Sequence, residues 1–318
     1  MNKFLITGFS GFVSKHFIDY LNEHHSGAIV VGLDINEPDF DVNKFSNIHC
    51  SFEKVNLLEV DQVKSILSDF QPDYLLHLAS FSSVAYSWEQ PVNAIVNNLN
   101  IFLNLVDQIR LLSIKCRILS VGSSEEYGKI DPVSLPLRED MQVNPISPYA
   151  VARVSQELLS KVYCDGYSLD IVITRSFNHI GPGQLKKFAI PSFVTKILDA
   201  QVQGKTFIKV GNLEIIRDFV DVRDVVRAYY QLLIHGKKGE IYNICSNKAI
   251  SLKEIVEFIM NHLNVNLELQ IDAELLRPND NDIIVGSYEK LKNQIHWEPR
   301  IPLNQSIIDI IQYWKIKY

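Results

Sequence analysis

Positive charge is nowhere concentrated in this sequence. Its 31 Lys and Arg are outnumbered by 37 Asp and Glu, for a net charge of −6. No basic stripe or cluster marks a face for nucleic acid. Long hydrophobic runs are also missing, and none approaches the roughly 18 residues that a bilayer span needs. Cysteine is scarce. Cys50, Cys116, Cys164 and Cys245 stand singly on apolar segments without a CxxC pair. They read as buried thiols in a reducing compartment, so a cytoplasmic protein without a metal site is expected. Internal repeats and low-complexity tracts are absent. The first residues enter a strand and a glycine turn at once, which is not the pattern of a signal peptide. Of the 318 residues 47% are hydrophobic. That is ample for a full core and suggests about two domains, or one large α/β domain with an appendage.

The richest stretch is Lys3 to Phe12, KFLITGFSGF. Phe4-Leu5-Ile6 reads as a buried strand. Thr7-Gly8-Phe9-Ser10-Gly11 follows, and then a helical pattern of Phe12, Val13, His16, Phe17, Tyr20 and Leu21. Strand, glycine turn and helix in that order form a phosphate-binding device. The glycines let the backbone approach a pyrophosphate, and the helix N-terminus presents free N–H groups and a partial positive charge. A third glycine, expected near residue 14, is replaced by Ser14. That position sets helix–strand proximity and leaves the phosphate site in place. Ala28 to Leu33 is a second apolar strand ending at Asp34. An acid at that tip suits an adenosine ribose and repels a 2′-phosphate, so NAD(H) is favoured over NADP(H).

Strands and amphipathic helices then alternate. Strands are expected at 48–52, 74–79, 117–122 and 169–174, and helices at 60–70, 91–112 and 148–163. This pattern argues a parallel sheet covered on both faces. Gly181-Pro182-Gly183 breaks the alternation. A helix over 191–202, turn-rich pieces, a strand ending near Ile244 and helices over 252–263 and 303–314 follow. The expected architecture is a Rossmann-type doubly wound parallel sheet (residues 1–174 with 218–247) and a smaller α/β substrate-binding lobe (175–217 with 248–318). In such sheets ligands bind beyond the carboxyl ends of the strands.

The strand at 117–122 delivers Ser123-Ser124-Glu125-Glu126-Tyr127 to the same edge as the glycine turn. Pro148 suits the first turn of a helix, and places Tyr149 and Arg153 at i and i+4 on one face. An unperturbed phenol is ionised about one part in a thousand at pH 7, so using it as a full base costs about 4 kcal/mol. A neighbouring cation recovers part of that. The same spacing also fits a surface cation–π contact.

Taken in order, Thr7-Gly8-x-x-Gly11, the strand ending in Asp34, His77-Leu78-Ala79, Ser123 and the Tyr149 helix resemble the extended short-chain dehydrogenase/reductase family. The likeness covers essentially the whole chain. It implies that Ser123 binds the reacting sugar oxygen and that Tyr149 moves the proton while a nicotinamide moves the hydride. It also implies cofactor contacts at Gly8, Ser10, Gly11, Phe12, Val13, Asp34, Asn56, Leu57, Leu78, Ala79 and Asn97, with Tyr149 and Arg153 at the nicotinamide end. The family normally has lysine where Arg153 stands, and usually an aspartate where Asn56 stands. The charge at 153 is kept, but a planar fork is not an ammonium. Lysine restored there is expected to keep or raise activity.

Arg175 to Gln184 and the segment Val210-Gly211-Asn212-Leu213 to Arg217-Asp218-Phe219 look like the enzymes of GDP-deoxyhexose synthesis. The resemblance implies substrate contacts at Ser124, Asn178, His179, Val194, Asn212, Arg217 and Arg277. The two arginines suit a diphosphate, and Val194 a base or ribose. His179 also fits a buried, satisfied histidine. Glu125 sits where the family's dehydratases carry their acid–base carboxylate, yet its 4-keto reductases share Gly-Ser-Ser-Glu-Glu-Tyr-Gly. The longer match favours NAD(P)H-dependent reduction of the 4-keto group of a GDP-linked 6-deoxy sugar, or of a related nucleotide-linked hexose or heptose. A 4,6-dehydratase and a non-catalytic subunit that binds NAD and nucleotide sugar stay open. The helices at 91–112 and 148–163 commonly pair with their copies in the family, which implies a homodimer built on a four-helix bundle.

Overall fold

A computed structural model describes residues 1–276 and 281–317. The first part of the chain alternates as expected: β1 (Lys3–Thr7), α1 (Phe12–His24), β2 (Ile29–Asp34), β3 (His49–Lys54), α2 (Val60–Phe70), β4 (Tyr74–His77), α3 (Val84–Glu89), α4 (Pro91–Leu111), β5 (Arg117–Ser123), α5 (Pro148–Tyr167) and β6 (Asp170–Ser176). Shorter elements follow: β7 (Asn178–Ile180), α6 (Ala189–Gln203), β8 (Phe207–Val210), β9 (Ile216–Asp221), α7 (Val222–His235), β10 (Ile241–Ile244), β11 (Ala249–Ser251), α8 (Leu252–Leu263), β12 (Glu268–Ile271), β13 (Ile283–Ile284), α9 (Glu289–Ile295) and α10 (Leu303–Lys317).

Seven parallel strands form the main sheet in the order β10-β6-β5-β4-β1-β2-β3. Residues 4–6 of β1 and 75–76 of β4 are buried without alternation, because helices cover both faces. On one face α1, α7 and α9 meet the strands, with Phe4, Phe17, Tyr229, Leu232 and Trp297 in one apolar cluster. On the other, α2, α4 and α5 contribute Leu67, Phe102, Leu105 and Cys164. The chain leaves β1 toward β2 on one side and later returns on the other through β4, so the strand order reverses between β1 and β4. That reversal opens a crevice at the carboxyl edge.

The smaller lobe has its own core, in which α6, α8 and α10 bury Val194, Ile197, Ile255, Ile259 and Ile310. Its strands form one small sheet, β11-β9-β13 with β7 on β9, and a pair, β12-β8. Two features depart from the expected layout. The turn-rich stretch before residue 239 contains the full helix α7. The lobe assignment for 248–318 also gives way at 289–297, because Leu291, Ile295 and Trp297 pack in the main sheet's core. Trp297 Nε1 donates to the Asp224 carbonyl on α7 at 3.1 Å, which fixes that return. Among the described residues, no helix is long and apolar enough to cross a membrane.

Candidate active site

At the glycine turn after β1, Gly8 has φ +70°, and a Cβ there would fall 2.8 Å from the Ala79 nitrogen. Only glycine tolerates both the backbone angle and the contact with the β4 exit. The Gly11 N–H closes the turn on the Gly8 carbonyl at 3.0 Å. Gly11 caps α1 with no side-chain hydrogen bond, and the first turn holds no acid. The orphan amides of α1 therefore face outward beside a close-approach turn, which fits a pyrophosphate. Ser14 takes the packed helix position fully buried, its hydroxyl without a partner.

Asp34 ends β2 half-buried, accepting the Ser10 and Asn36 amides at 3.0 Å each. Ser10 Oγ in turn donates to the Asn36 carbonyl at 2.5 Å. Leu78 and Ala79 leave β4 beside Gly8, and the Ala79 N–H donates to Thr7 Oγ1 at 3.3 Å. Asn56 is exposed, with its side chain accepting the Leu58 amide at 3.1 Å, and Leu57 is buried. Phe12 and Val13 are half-buried on α1. These residues gather at the carboxyl ends of β1 to β4. Asn97 lies on α4, its amide donating to Asn98 Oδ1 at 3.4 Å.

Along the same edge, β5 runs into a single 3-10 turn, Ser124–Tyr127. Ser123 caps this turn. Its Oγ accepts the Glu125 N–H at 3.2 Å and its own N–H donates to Glu126 Oε1 at 2.6 Å. The Ser123 hydroxyl proton is left to point elsewhere. Ser124 is buried and Glu125 half-buried. Across from this turn, Ser147 caps α5 by accepting the Ala150 N–H at 3.1 Å, with Pro148 opening the helix. Tyr149 and Arg153 are only 7% and 5% exposed, so the pair is interior and not a surface contact. Arg153 Nε donates to the Tyr149 hydroxyl at 3.2 Å, with the guanidinium 5.2 Å from the ring centre. Its other nitrogens reach the Val121 carbonyl at 3.0 Å, Gln156 Oε1 at 2.8 Å and Ser80 Oγ. Gln156 is braced by Ser120 Oγ at 2.8 Å. His77 binds Thr7 Oγ1 at 2.9 Å, and burial, reinforced by the Arg153 charge, holds its pKa down to about 3.

Sequence reasoning missed Ser80, Gln156 and the Glu126 carboxyl. Gln156 was within reach, since it lies one helical turn from Arg153. A link between α1 and the Gly181–Gly183 turn was missed too: His16 Nε2 meets the Pro182 carbonyl at 2.8 Å. His179 stacks on Phe12, with centroids 6.4 Å apart at 8°, and its Nδ1 lies 3.2 Å from the Phe177 carbonyl. Burial pushes its pKa down, which keeps the ring neutral. Asn178 is exposed on β7. Arg217, on β9, is nearly buried and donates to the Ile216 and Asn281 carbonyls at 2.9 and 2.8 Å. Asn212 is exposed and accepts the Glu214 amide at 3.0 Å. Val194 is fully enclosed in the lobe's core and offers no surface to a base or ribose, because α6 turns that side toward α8 and α10. Arg277 lies outside the described residues. No cluster of His, Cys, Asp or Glu suited to a metal occurs among the described residues.

A doubly wound sheet with this turn and this buried tyrosine–cation pair defines an extended short-chain dehydrogenase/reductase, a nicotinamide-dependent oxidoreductase. Residues 5–310 match the family model described as GDP-mannose 4,6 dehydratase, and the chain belongs to that family. GDP-6-deoxy-D-mannose reductase of Pseudomonas aeruginosa is 30% identical over 315 residues, 98% of this chain and 97% of that protein. A solved structure of RMD from Pseudomonas aeruginosa complexed with NADPH matches with a TM-score of 0.86 and 30% identity, over all of both chains. UDP-glucose 4-epimerase from Thermotoga maritima, solved with UDP-glucose, matches with a TM-score of 0.87 and 25% identity over 99% of each chain.

Proposed function

We propose that this enzyme reduces the 4-keto group of a GDP-linked 6-deoxy sugar, or of a closely related nucleotide-linked hexose or heptose. The single observation that carries the reading is the buried hydrogen bond from Arg153 to the Tyr149 hydroxyl, at the rim where β5 delivers Ser123. A bound nicotinamide nucleotide supplies the hydride to the sugar C4. The chain's own residues handle the oxygen. Ser123 donates to the keto oxygen and Tyr149 gives its proton to the oxygen as negative charge develops there. The resulting phenolate rests on the Arg153 guanidinium, a fixed charge that never yields a proton. Arg217 lies on the lobe side and suits the diphosphate.

The Gly8 cradle and the free amides of α1 would hold the cofactor's pyrophosphate, and Asp34 its adenosine ribose. NAD(H) is favoured over NADP(H), since a 2′-phosphate beside Asp34 meets a like charge. The exposed apolar side chains of α4 and α5, among them Val92, Val96, Val151, Leu158 and Val162, support a homodimer. The composition supports a cytoplasmic enzyme. A dehydratase remains the second reading because Glu125 lies one residue from Ser124 on the same turn, where a carboxylate can exchange a proton with the sugar.

The assay is NADH oxidation in the presence of GDP-4-keto-6-deoxymannose. Wild type consumes NADH, and Tyr149→Phe loses about 10²- to 10⁴-fold in kcat, the range of one general acid. Conversion of GDP-mannose to the keto sugar without added NADH would instead establish the dehydratase. Binding without either reaction would leave a non-catalytic subunit.

A further inference from the structure

Directly behind the Ser123 turn lies a buried carboxyl that the reaction does not use. Glu126 is fully buried. Its Oε1 accepts the Ser123 N–H at 2.6 Å, and its Oε2 has no hydrogen-bond partner among the described residues. The pocket is shaped for this carboxyl: a Cβ on Gly122 would collide with Glu126 Oε1 and the Thr174 carbonyl. The Glu157 carboxylate lies within hydrogen-bonding reach of Glu126. Glu157 is itself nearly buried and holds Arg175 bidentately, at 2.8 and 2.9 Å.

Two carboxyl oxygens at that range with no donor between them repel when both are ionised. A proton between them removes the repulsion and satisfies the orphaned oxygen in one step. Charge counting agrees. Arg175 and the more exposed Lys161 both pair with Glu157, and no cation among the described residues pairs with Glu126 directly. We propose that Glu126 is a positioning residue for Ser123, kept as a neutral acid, with one oxygen accepting the Ser123 N–H and the other donating its proton to Glu157. The proposal rests on the reading of Ser123 as the keto-oxygen donor.

The groups facing Glu126 allow this. From α5 comes Glu157, with Lys161 3.8 Å beyond it. From β6 comes Arg175, which also lies 4.7 Å from the Tyr127 ring and donates to the Glu139 carbonyl at 3.4 Å. From its own turn come Glu125 and Tyr127. Burial first, and the Glu157 charge second, push the Glu126 pKa up. As pH rises the shared proton leaves, the two carboxylates repel, and the turn that Glu126 holds through the Ser123 N–H shifts with it.

The test compares wild type, Glu126→Gln, Glu126→Leu and Tyr149→Phe by infrared difference spectroscopy and by the pH profile of kcat/KM. Glutamine reproduces both bonds: its oxygen accepts the Ser123 N–H and its NH₂ donates to Glu157. The Glu126→Gln enzyme should keep activity within about threefold at neutral pH and hold it to higher pH than wild type before falling. Glu126→Leu should lose roughly tenfold or more, since the Ser123 amide is stranded. The wild-type spectrum should contain a protonated-carboxyl band that vanishes in Glu126→Gln and on raising the pH. No such band, or an unchanged alkaline limb in Glu126→Gln, would overturn the proposal. A fully active Tyr149→Phe would instead overturn the reading of the site, while the infrared band would still report the state of Glu126.

Discussion

Arg153 shows how one residue sets the terms for its neighbours. Its fork meets the Tyr149 hydroxyl, the Val121 carbonyl, Gln156 and Ser80 at once. Lysine has one ammonium and cannot fill all four places. The resemblance, in which lysine is usual at this position, implied that lysine would keep or raise activity, whereas the buried network argues the reverse. Arg153→Lys should lower kcat by roughly tenfold, with stranded acceptors behind the tyrosine, and steady-state kinetics will show it. An unchanged or higher kcat would mean that the network is incidental. Glu126 makes a second residue-scale prediction. Its pKa is pushed up to about 8 by burial and by Glu157, from an ordinary 4.5. The folded chain then binds a proton that the unfolded chain releases. This contribution to stability is complete below about pH 4.5 and is lost as pH rises toward 8. The melting temperature of Glu126→Gln should therefore vary less over that window than that of wild type. Part of this scale was legible: Gly8, Gly11 and Asp34 stand out by residue type and spacing, and the family resemblance singled out Ser123 and Tyr149. Ser80 did not, because its partner Arg153 is distant in the chain; Glu126 stands at capping-box spacing from Ser123, a local signal that was there to be read, whereas its burial against Glu157 was not.

Elements were legible where their period was clean. The helices at 60–70 and 252–263 carry an uninterrupted apolar stripe, and their bounds match the structure. Helix α7 was missed because Arg223, Asp224 and Arg227 interrupt the reading of Val222 to Leu233. Those charges are consumed within the fold. Asp224 accepts the Arg300 and Ile301 amides at 2.8 Å each and pairs with Arg227. Arg223 pairs with Asp221 and Asp309 at 2.7 Å each. Polar residues that read as a loop thus tie α7 to the chain around Trp297 and to α10. Trp297 is wholly buried against that helix. Trp297→Ala should cost about 3–5 kcal/mol, with the cavity largely unfilled. Denaturant unfolding checks the value, and a loss below about 1 kcal/mol would mean that the return of residues 289–297 to the main domain adds little.

At the scale of the molecule, the features of the candidate site gather at one rim of the main sheet. The glycine turn, the Ser123 turn and the start of α5 all lie where the parallel strands end, so a cofactor and a sugar can meet there. The alternation of strands and helices made the large domain readable from the sequence. The small lobe was less so, since β7, β11 and β13 have only two or three residues each and draw their pairing from β9. The apolar side chains left open on α4 and α5 make an assembly prediction. Light scattering should report a dimer, and Leu158→Asp combined with Val162→Asp should yield monomers with unchanged circular dichroism. A wild-type monomer at micromolar concentration would end that reading.

The central claim is that hydride reaches C4 of a nucleotide-linked keto sugar while Tyr149 supplies the proton. Deuteride labelling tests it most directly. Enzyme, GDP-4-keto-6-deoxymannose and NADH carrying deuterium at the transferable position should give a product labelled at the sugar C4, with Tyr149→Phe giving almost none. A product without label at C4, or equal labelling by Tyr149→Phe, would contradict the account.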